Sequence, residues 1–280
     1  MSDNPNSIFA NKVTLVLAVI AVLVLGLGGY VVYGKISAGQ TQQVAEEVDM
    51  PFDPEGPYAI LYPRADGNAL VLDIKRTGSY DQIKYELTYN SEGVDRGAQG
   101  DINTKEKKGE YEQEILFGSC STGGKCVFDK DVENGTLTLH IKKGNTAYRM
   151  ITQWHLQKPD VALGILTSGD DHLTYKIDQA TTDLSLIKYV ITNDLSGAPK
   201  LPDGKVVVGK VYAVNSPQAK ELPKGVVTIE LAEDAPIGSK IAVFNDSKNS
   251  WTEYDTNITD GKLTASVDGG GAITVLAPKK

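Results

Sequence analysis

TLTLHI, Thr136 to Ile141, switches between polar and apolar at every residue. Successive side chains of a β-strand point to opposite faces, so Leu137, Leu139 and Ile141 share one side, and Thr136, Thr138 and His140 share the other. LVLDIK, residues 70–75, carries a looser form of the same period. Both stretches read as half-buried strands, and they set the expectation for the chain around them.

Working outward, short apolar or alternating runs recur at 58–62, 69–75, 83–89, 111–117, 125–128, 136–141 and 148–155. Turn signals separate them: ADGN from Ala65, NSEG from Asn90, ENG from Glu133 and KKGN from Lys142. Seven short strands in about 100 residues fit a β-sandwich, with Trp154 in its core. QKPD (157–160) reads as a boundary. A second series follows at 173–177, 185–192, 205–214, 226–231, 240–244, 262–267 and 272–276. Proline and glycine punctuate it at GAPKLPDG, ELPKG and EDAPIGS. The fold class expected is all-β: two tandem Ig-like β-sandwiches, 57–158 and 159–280.

The N-terminus has a different texture. From Val13 to Tyr33 the chain carries no charge, and Lys12 and Lys35 bracket the run. At 1.5 Å per residue, that length as a helix crosses a hydrocarbon core of about 30 Å. Tyr30 and Tyr33 suit the interface. A cleaved signal peptide is the rival, but its apolar region runs only about 7–15 residues. No cysteine follows the run, which closes the lipoprotein route. The organisation expected is therefore a short cytoplasmic tail (1–12), a transmembrane helix (13–33), a polar tether (34–56) and then the two sandwiches.

One lysine flanks each end, so the positive-inside count does not orient the span. The cysteines bear on it. Cys120 and Cys126, the only two in the chain, sit in GSCSTGGKC (118–126), where Gly123-Gly124 permits a reversal. We expect them to bridge the mouth of a tight hairpin, with Cα atoms roughly 5.5–6 Å apart. A disulfide persists in oxidising compartments, so it would place everything after Tyr33 outside the cytoplasm. Two reduced cysteines in a cytosolic hairpin is the alternative. A zinc site has less support, because no second cysteine or histidine pair stands at ligand spacing.

Net charge is −8; Lys12 and Lys35 against Asp3 give residues 1–40 a charge of +1, so the remainder carries −9. An acidic body without a basic stripe argues against nucleic acid and against a polybasic membrane patch. The three histidines read as strand or loop residues: His140 in TLTLHI, His155 after Trp154 and His172 in SGDDHL. A pairing of Cys120 or Cys126 with His140 is conceivable, yet no phosphate loop, zinc-helix motif or nucleophile elbow appears. DKDVENG (129–135) offers alternate oxygens for calcium, but Asn134 occupies the position where the loop needs glycine. A solvated hairpin turn entered at Asn134-Gly135 is preferred. Asn134-Gly-Thr, Asn245-Asp-Ser and Asn257-Ile-Thr match the glycosylation acceptor pattern.

PRADGNALVLDI from Pro63, YELTY from Tyr85, EILFGSCSTGGKC from Glu114, GTLTLHI from Gly135 and QWHLQ from Gln153 follow a single N-terminal apolar segment in that order. Together they resemble an uncharacterised family of membrane-anchored envelope proteins of candidate-phyla bacteria, over about residues 57–158. The resemblance implies an envelope location and no activity. The tail from Gly238 to Pro278 is similar to C-terminal β-sandwich modules of bacterial surface proteins.

The function expected is a single-pass, membrane-anchored extracytoplasmic protein: a non-enzymatic binding, adhesion or spacer module of the cell envelope. It would have no cofactor and no metal. Its partners would be membrane lipid through the N-terminal helix and an envelope protein or glycan. The alternative is a structural subunit of a surface filament or secretion assembly.

Overall fold

The structure, a computed structural model, describes residues 46–104, 109–159, 163–179, 182–218 and 220–279. In chain order its strands begin with β1 (Val48–Asp49), β2 (Tyr58–Pro63), β3 (Ala69–Lys75), β4 (Gln82–Ser91), β5 (Val94–Ile102), β6 (Glu110–Leu116) and β7 (Gly118–Cys120). They continue as β8 (Cys126–Phe128), β9 (Asn134–Lys143), β10 (Thr146–Gln157), β11 (Ile165–Thr167), β12 (Leu173–Ile177), β13 (Tyr189–Asn193) and β14 (Lys205–Asn215). The last are β15 (Gly225–Glu230), β16 (Lys240–Asn245), β17 (Ser250–Glu253), β18 (Asn257–Thr259), β19 (Lys262–Val267) and β20 (Gly271–Pro278). Among the described residues, helix is confined to single turns at Thr77–Ser79 and Thr182–Ser185. The protein is all-β, as its alternating patterns predict. The expected span from Val13 to Tyr33 lies outside the described residues, and among those described no helix is long and apolar enough to cross a membrane.

One sheet runs through both halves in the order β17-β16-β20-β14-β13-β10-β9-β4-β5, with β1 paired to β10. The chain crosses the boundary expected at 158/159 without breaking that sheet: β10 and β13 pair from Gln153↔Asn193 to Gln157↔Tyr189. Residues 47–280 form one compact unit. Two smaller sheets cover it, β2-β3-β6 and β11-β12-β15-β19-β18.

These covers lie on opposite faces, and β13 shows why. Val190 belongs to the core under β2-β3-β6, whereas its neighbours Tyr189 and Ile191 belong to the core under β11-β12-β15-β19-β18. Adjacent residues of a strand face opposite ways, so the two cores sit on the two sides of the shared sheet. In the first core Trp154 stacks on Phe117 at 5.8 Å, and Phe117 meets Tyr89 edge-on at 4.9 Å. Burying each such side chain stabilises by about 1.5–3 kcal/mol. On the same face beyond β13, Leu195, Ala198, Leu201 and Trp251 cover Ala213 and Phe244. Trp251 Nε1 donates to Lys200 O at 3.1 Å, which pins that covering segment. Asn215 Nδ2 donates to Leu61 O at 2.9 Å and ties β14 to β2 across the layers.

The end of the expected tether lies on this body. β1 runs parallel to β10, Asp53 N–H donates to Ser196 O, and Arg76 Nη1 donates to Pro54 O at 2.6 Å. Arg76 Nη2 also bonds Ala198 O, and the guanidinium lies over the Tyr58 ring. Burial lowers the Arg76 pKa from its ordinary value, against the pull of Tyr58, Glu55 and Asp53.

The hairpin turn expected at Asn134-Gly135 is corrected. Those residues begin β9, and DKDVENG is a packed approach to it in which Val132 is buried, Asp129 accepts from Tyr89 Oη and Ser91 Oγ donates to Lys130 O. Gly135 stands there for space: a Cβ would meet Thr88 O at 2.1 Å and the Trp154 ring at 2.3 Å.

Candidate functional site

With the covers on opposite faces, one quarter of the shared sheet is left bare. On the side away from the first core, β4, β5, β9 and β10 present their polar residues to solvent. The registers align these into rows. One row reads Gly97, Thr88, Thr136, Gln153, Asn193 across five strands. Beside it Asp95 stands opposite Asn90, and Asn134 opposite His155. At about 4.8 Å between strands, the first row spans about 19 Å.

The far end of the row meets a wall, because β11-β12-β15-β19-β18 covers this same face beyond β13. Gln157 locks the corner: its Oε1 accepts from Thr167 N–H at 2.9 Å and its Nε2 donates to Ile165 O at 3.3 Å, capping the edge strand β11. The wall continues as the SGDD turn from Ser168. Ser168 Oγ donates to Asp170 Oδ1 at 2.5 Å, and Lys210 Nζ reaches Asp170 Oδ2 and Asp194 Oδ2 at 3.0 Å each. Burial works against the Asp170 charge. Bonds from Ser168, Lys210 and the His172 N–H outweigh it and hold the carboxyl below its usual range. This network places Gly169 beside Asn193.

Floor and wall enclose a trough of about 930 Å³ that includes Glu86, Thr88, Asn134, Thr136, Gln153 and Asn193. Asn193 is 1% exposed, and its Oδ1 has no hydrogen-bond partner, while its Nδ2 donates to Gln153 Oε1 at 3.4 Å and to Asp194 Oδ2 at 3.3 Å. A buried acceptor left unpaired costs about 1–3 kcal/mol. In the same corner of β10, His155 Nδ1 is buried and also unpaired. The charged groups of the lining are Glu86, Asp95 and Arg96. Arg96 pairs with Tyr89 in register, on the core-facing side, and ion-pairs with Asp129 at 3.3 Å.

Cys120 and Cys126 stand apart from the trough. They form a disulfide (S–S 2.02 Å) at directly opposed positions of the β7–β8 hairpin. Their Cα atoms are 4.0 Å apart, closer than the spacing expected from the sequence, because the two face each other in register across a narrow ladder. With both sulfurs bonded, the conceivable pairing of either cysteine with His140 is removed. Every residue from Ser119 to Phe128 is exposed, and Val127 and Phe128 give the hairpin an apolar flank against which Arg64 stacks.

The three histidines are dispersed. His140 Nδ1 lies 3.0 Å from Glu47 and its Nε2 3.7 Å from Glu86, on the bare face. His155 sits in the corner. His172 donates its N–H to Asp170 in the wall turn. Among the described residues no group of three or more His, Cys, Asp or Glu is arranged to hold a metal ion. The trough itself was hidden from sequence reading. The alternation marks Thr136, Thr138 and His140 as one face, but only the register shows that the row continues to Asn193, past the expected domain boundary. No protein-family model matches the chain, and no curated protein or solved structure matches it.

Proposed function

We propose that this chain is a membrane-anchored, extracytoplasmic binding protein of the cell envelope, held by Val13–Tyr33 and engaging an envelope partner through the trough. The observation that carries this reading is Asn193, a buried side chain in the lining of a wide polar depression whose amide oxygen has no partner. A surface meant only for solvation has no need to bury an unpaired amide oxygen. The bonded Cys120–Cys126 pair supports the compartment, since exposed disulfides last where thiol reductants are scarce. The apolar run supports the anchor. No catalytic role is assigned: the titratable groups in and near the trough are scattered rather than convergent.

Two measurements test this reading. Protease added to intact cells or spheroplasts is expected to remove a C-terminal epitope; full protection would refute the topology. A photo-crosslinking residue at Thr136, on the trough floor, is expected to capture an envelope component in living cells. The same probe at Lys262, on the far cover, should capture much less. Equal capture at both would refute the trough as the binding site.

A further inference from the structure

We infer that the trough takes a neutral, hydroxyl-rich chain, a glycan without carboxylate or phosphate groups, laid across the strands with a hydroxyl donating to Asn193 Oδ1. The inference rests on the binding reading above and narrows it to one ligand chemistry.

Three features point this way. The first is the kind of hydrogen bonding on offer. Floor strands β4, β9 and β10 are each paired on both sides; β5, the last strand of the sheet, keeps a free outer edge, but a strand added there would extend the sheet beyond the trough rather than lie across its floor. A peptide added as a strand takes its affinity from such an edge. The edge that does face the corner, β11, is already capped by Gln157. What remains is a lattice of side-chain amides and hydroxyls. Gln153 and Asn134 bring donors, Asn193 brings an unfilled acceptor, and Thr136 serves as both. A hydroxyl group also donates and accepts, so a polyol can satisfy that mixture from one chain.

The second is charge. Glu86 and Asp95 are carboxylates of the lining, and its guanidinium, Arg96, is held by Asp129 from the other side of the sheet. Lys84, Arg149 and Lys142 lie further along the same face; Asp101 and Asp49 engage the first two, and Lys142 stands beside Asp81 and Gln82, outside the trough lining. A polyanion entering the trough meets like charge, and among the described lining residues no free cation offsets it. The third is shape. The row of about 19 Å is open and shallow, with Gly169 leaving bare backbone, its nearest neighbour Asn193 Oδ1 at 4.0 Å from where a Cβ would stand, so a flat ring can approach. It suits several linked rings better than one small molecule enclosed in a cavity.

The experiment uses the full chain in lipid nanodiscs, titrated calorimetrically with oligomers of glucose, mannose and N-acetylglucosamine, and with hyaluronate and heparin as acidic chains. At least one neutral oligomer is expected to bind, with the acidic chains at least about tenfold weaker if a single charge repulsion of normal size operates. Gln153→Ala should weaken binding roughly three- to tenfold, the loss of one hydrogen-bonding group. Thr136→Trp, which fills the trough from its floor, should abolish binding while circular dichroism stays that of the parent. Failure of every neutral oligomer to bind, preference for an acidic chain, or unchanged binding by Thr136→Trp would overturn the inference. The crosslinker at Thr136 separates the two levels: capture of a protein there would overturn the glycan assignment and leave the binding reading standing, whereas equal labelling at Lys262 would remove both.

Discussion

Gly135→Ala adds one methyl group at the place where β4, β9 and the first core meet. The added Cβ would fall 2.1 Å from Thr88 O and 2.3 Å from Trp154 Cζ2. Carbon atoms pack comfortably near 3.5 Å, so the ring must retreat by about 1.2 Å or the strands must part. Neither neighbour yields easily. Trp154 is 2% exposed and stacked on Phe117, and moving the Thr88 carbonyl disturbs the β4–β9 ladder. Overpacking costs about 1–3 kcal/mol and sometimes more; with a backbone atom in the way we place this substitution at about 3 kcal/mol. For a unit of this size that is a fall in Tm of roughly 6–12 °C, readable by circular dichroism on the full chain in detergent. Gly144→Ala is the control. Gly144 lies at φ 60° with nothing within 4 Å, so its substitution isolates the backbone cost of about 1–2 kcal/mol. Combining Gly135→Ala with Trp154→Leu should cost less than the sum of the two, because the second change removes the ring from the first one's path. If Gly135→Ala alone stays within about 0.5 kcal/mol of the parent, the size of an inconsequential surface change, the close packing argued here is wrong.

Three further outcomes are expected. Cys120→Ser with Cys126→Ser should lower stability by no more than about 2.3 kcal/mol, the chain-entropy value for a seven-residue loop, and leave the β-sheet spectrum intact; global unfolding would show that the exposed hairpin supports the core. Arg76→Ala should cost about 2 kcal/mol through its lost charged hydrogen bonds and speed amide exchange selectively at 50–57 and 194–198; uniform exchange across the sheet would refute its role as a local brace. Arg64, by its hydrogen bond first, holds the Asp66 carboxyl down to about 2. A depressed carboxyl adds stability above its unfolded value near 3.9 and loses it as pH falls toward the folded one. The parent should therefore lose more Tm than Asp66→Asn between about pH 4 and pH 2. The effect should be small, because Asp66 is well exposed and its pairing is screened. Parallel pH curves for parent and variant would refute it.

Much of the strand pattern was legible because a strand with one face buried writes its period into the sequence. LVLDIK and TLTLHI do so, and β3 and β9 fall on them. The strands that escaped have no such period. VDRGAQGDI becomes β5 because it pairs with β4 over nine positions, at an edge where little of it is buried. The turn from Ser91 to Val94 makes that pairing possible, with Glu92 and Gly93 both at positive φ. ENG deceived for the opposite reason. Asn-Gly ordinarily signals a turn through glycine's backbone freedom, but Gly135 is required for the absence of a side chain above Trp154. A dipeptide cannot tell those two uses apart; only the partner across the sheet can.

The same logic explains why the candidate site lay beyond sequence reading. A sheet of this length has four half-faces. Sheet β2-β3-β6 covers one, sheet β11-β12-β15-β19-β18 covers its diagonal opposite, and the 194–202 segment with Trp251 closes a third. The remaining half-face must satisfy its own polar groups, which is why β4 alternates strictly between buried and exposed over all ten residues. The wall that turns this face into a trough comes from the other half of the chain, beginning 29 residues beyond Thr136 at Ile165. Its position depends on β13 sending Val190 to one core and Ile191 to the other. Shifting β13 by one residue against β10 would exchange those two and send Asn193 into the first core, where an unpaired amide is still less tolerable. The register that builds both cores is therefore the register that sets Asn193, with its unpartnered Oδ1, in the lining of the trough, and the site follows from the packing rather than being added to it.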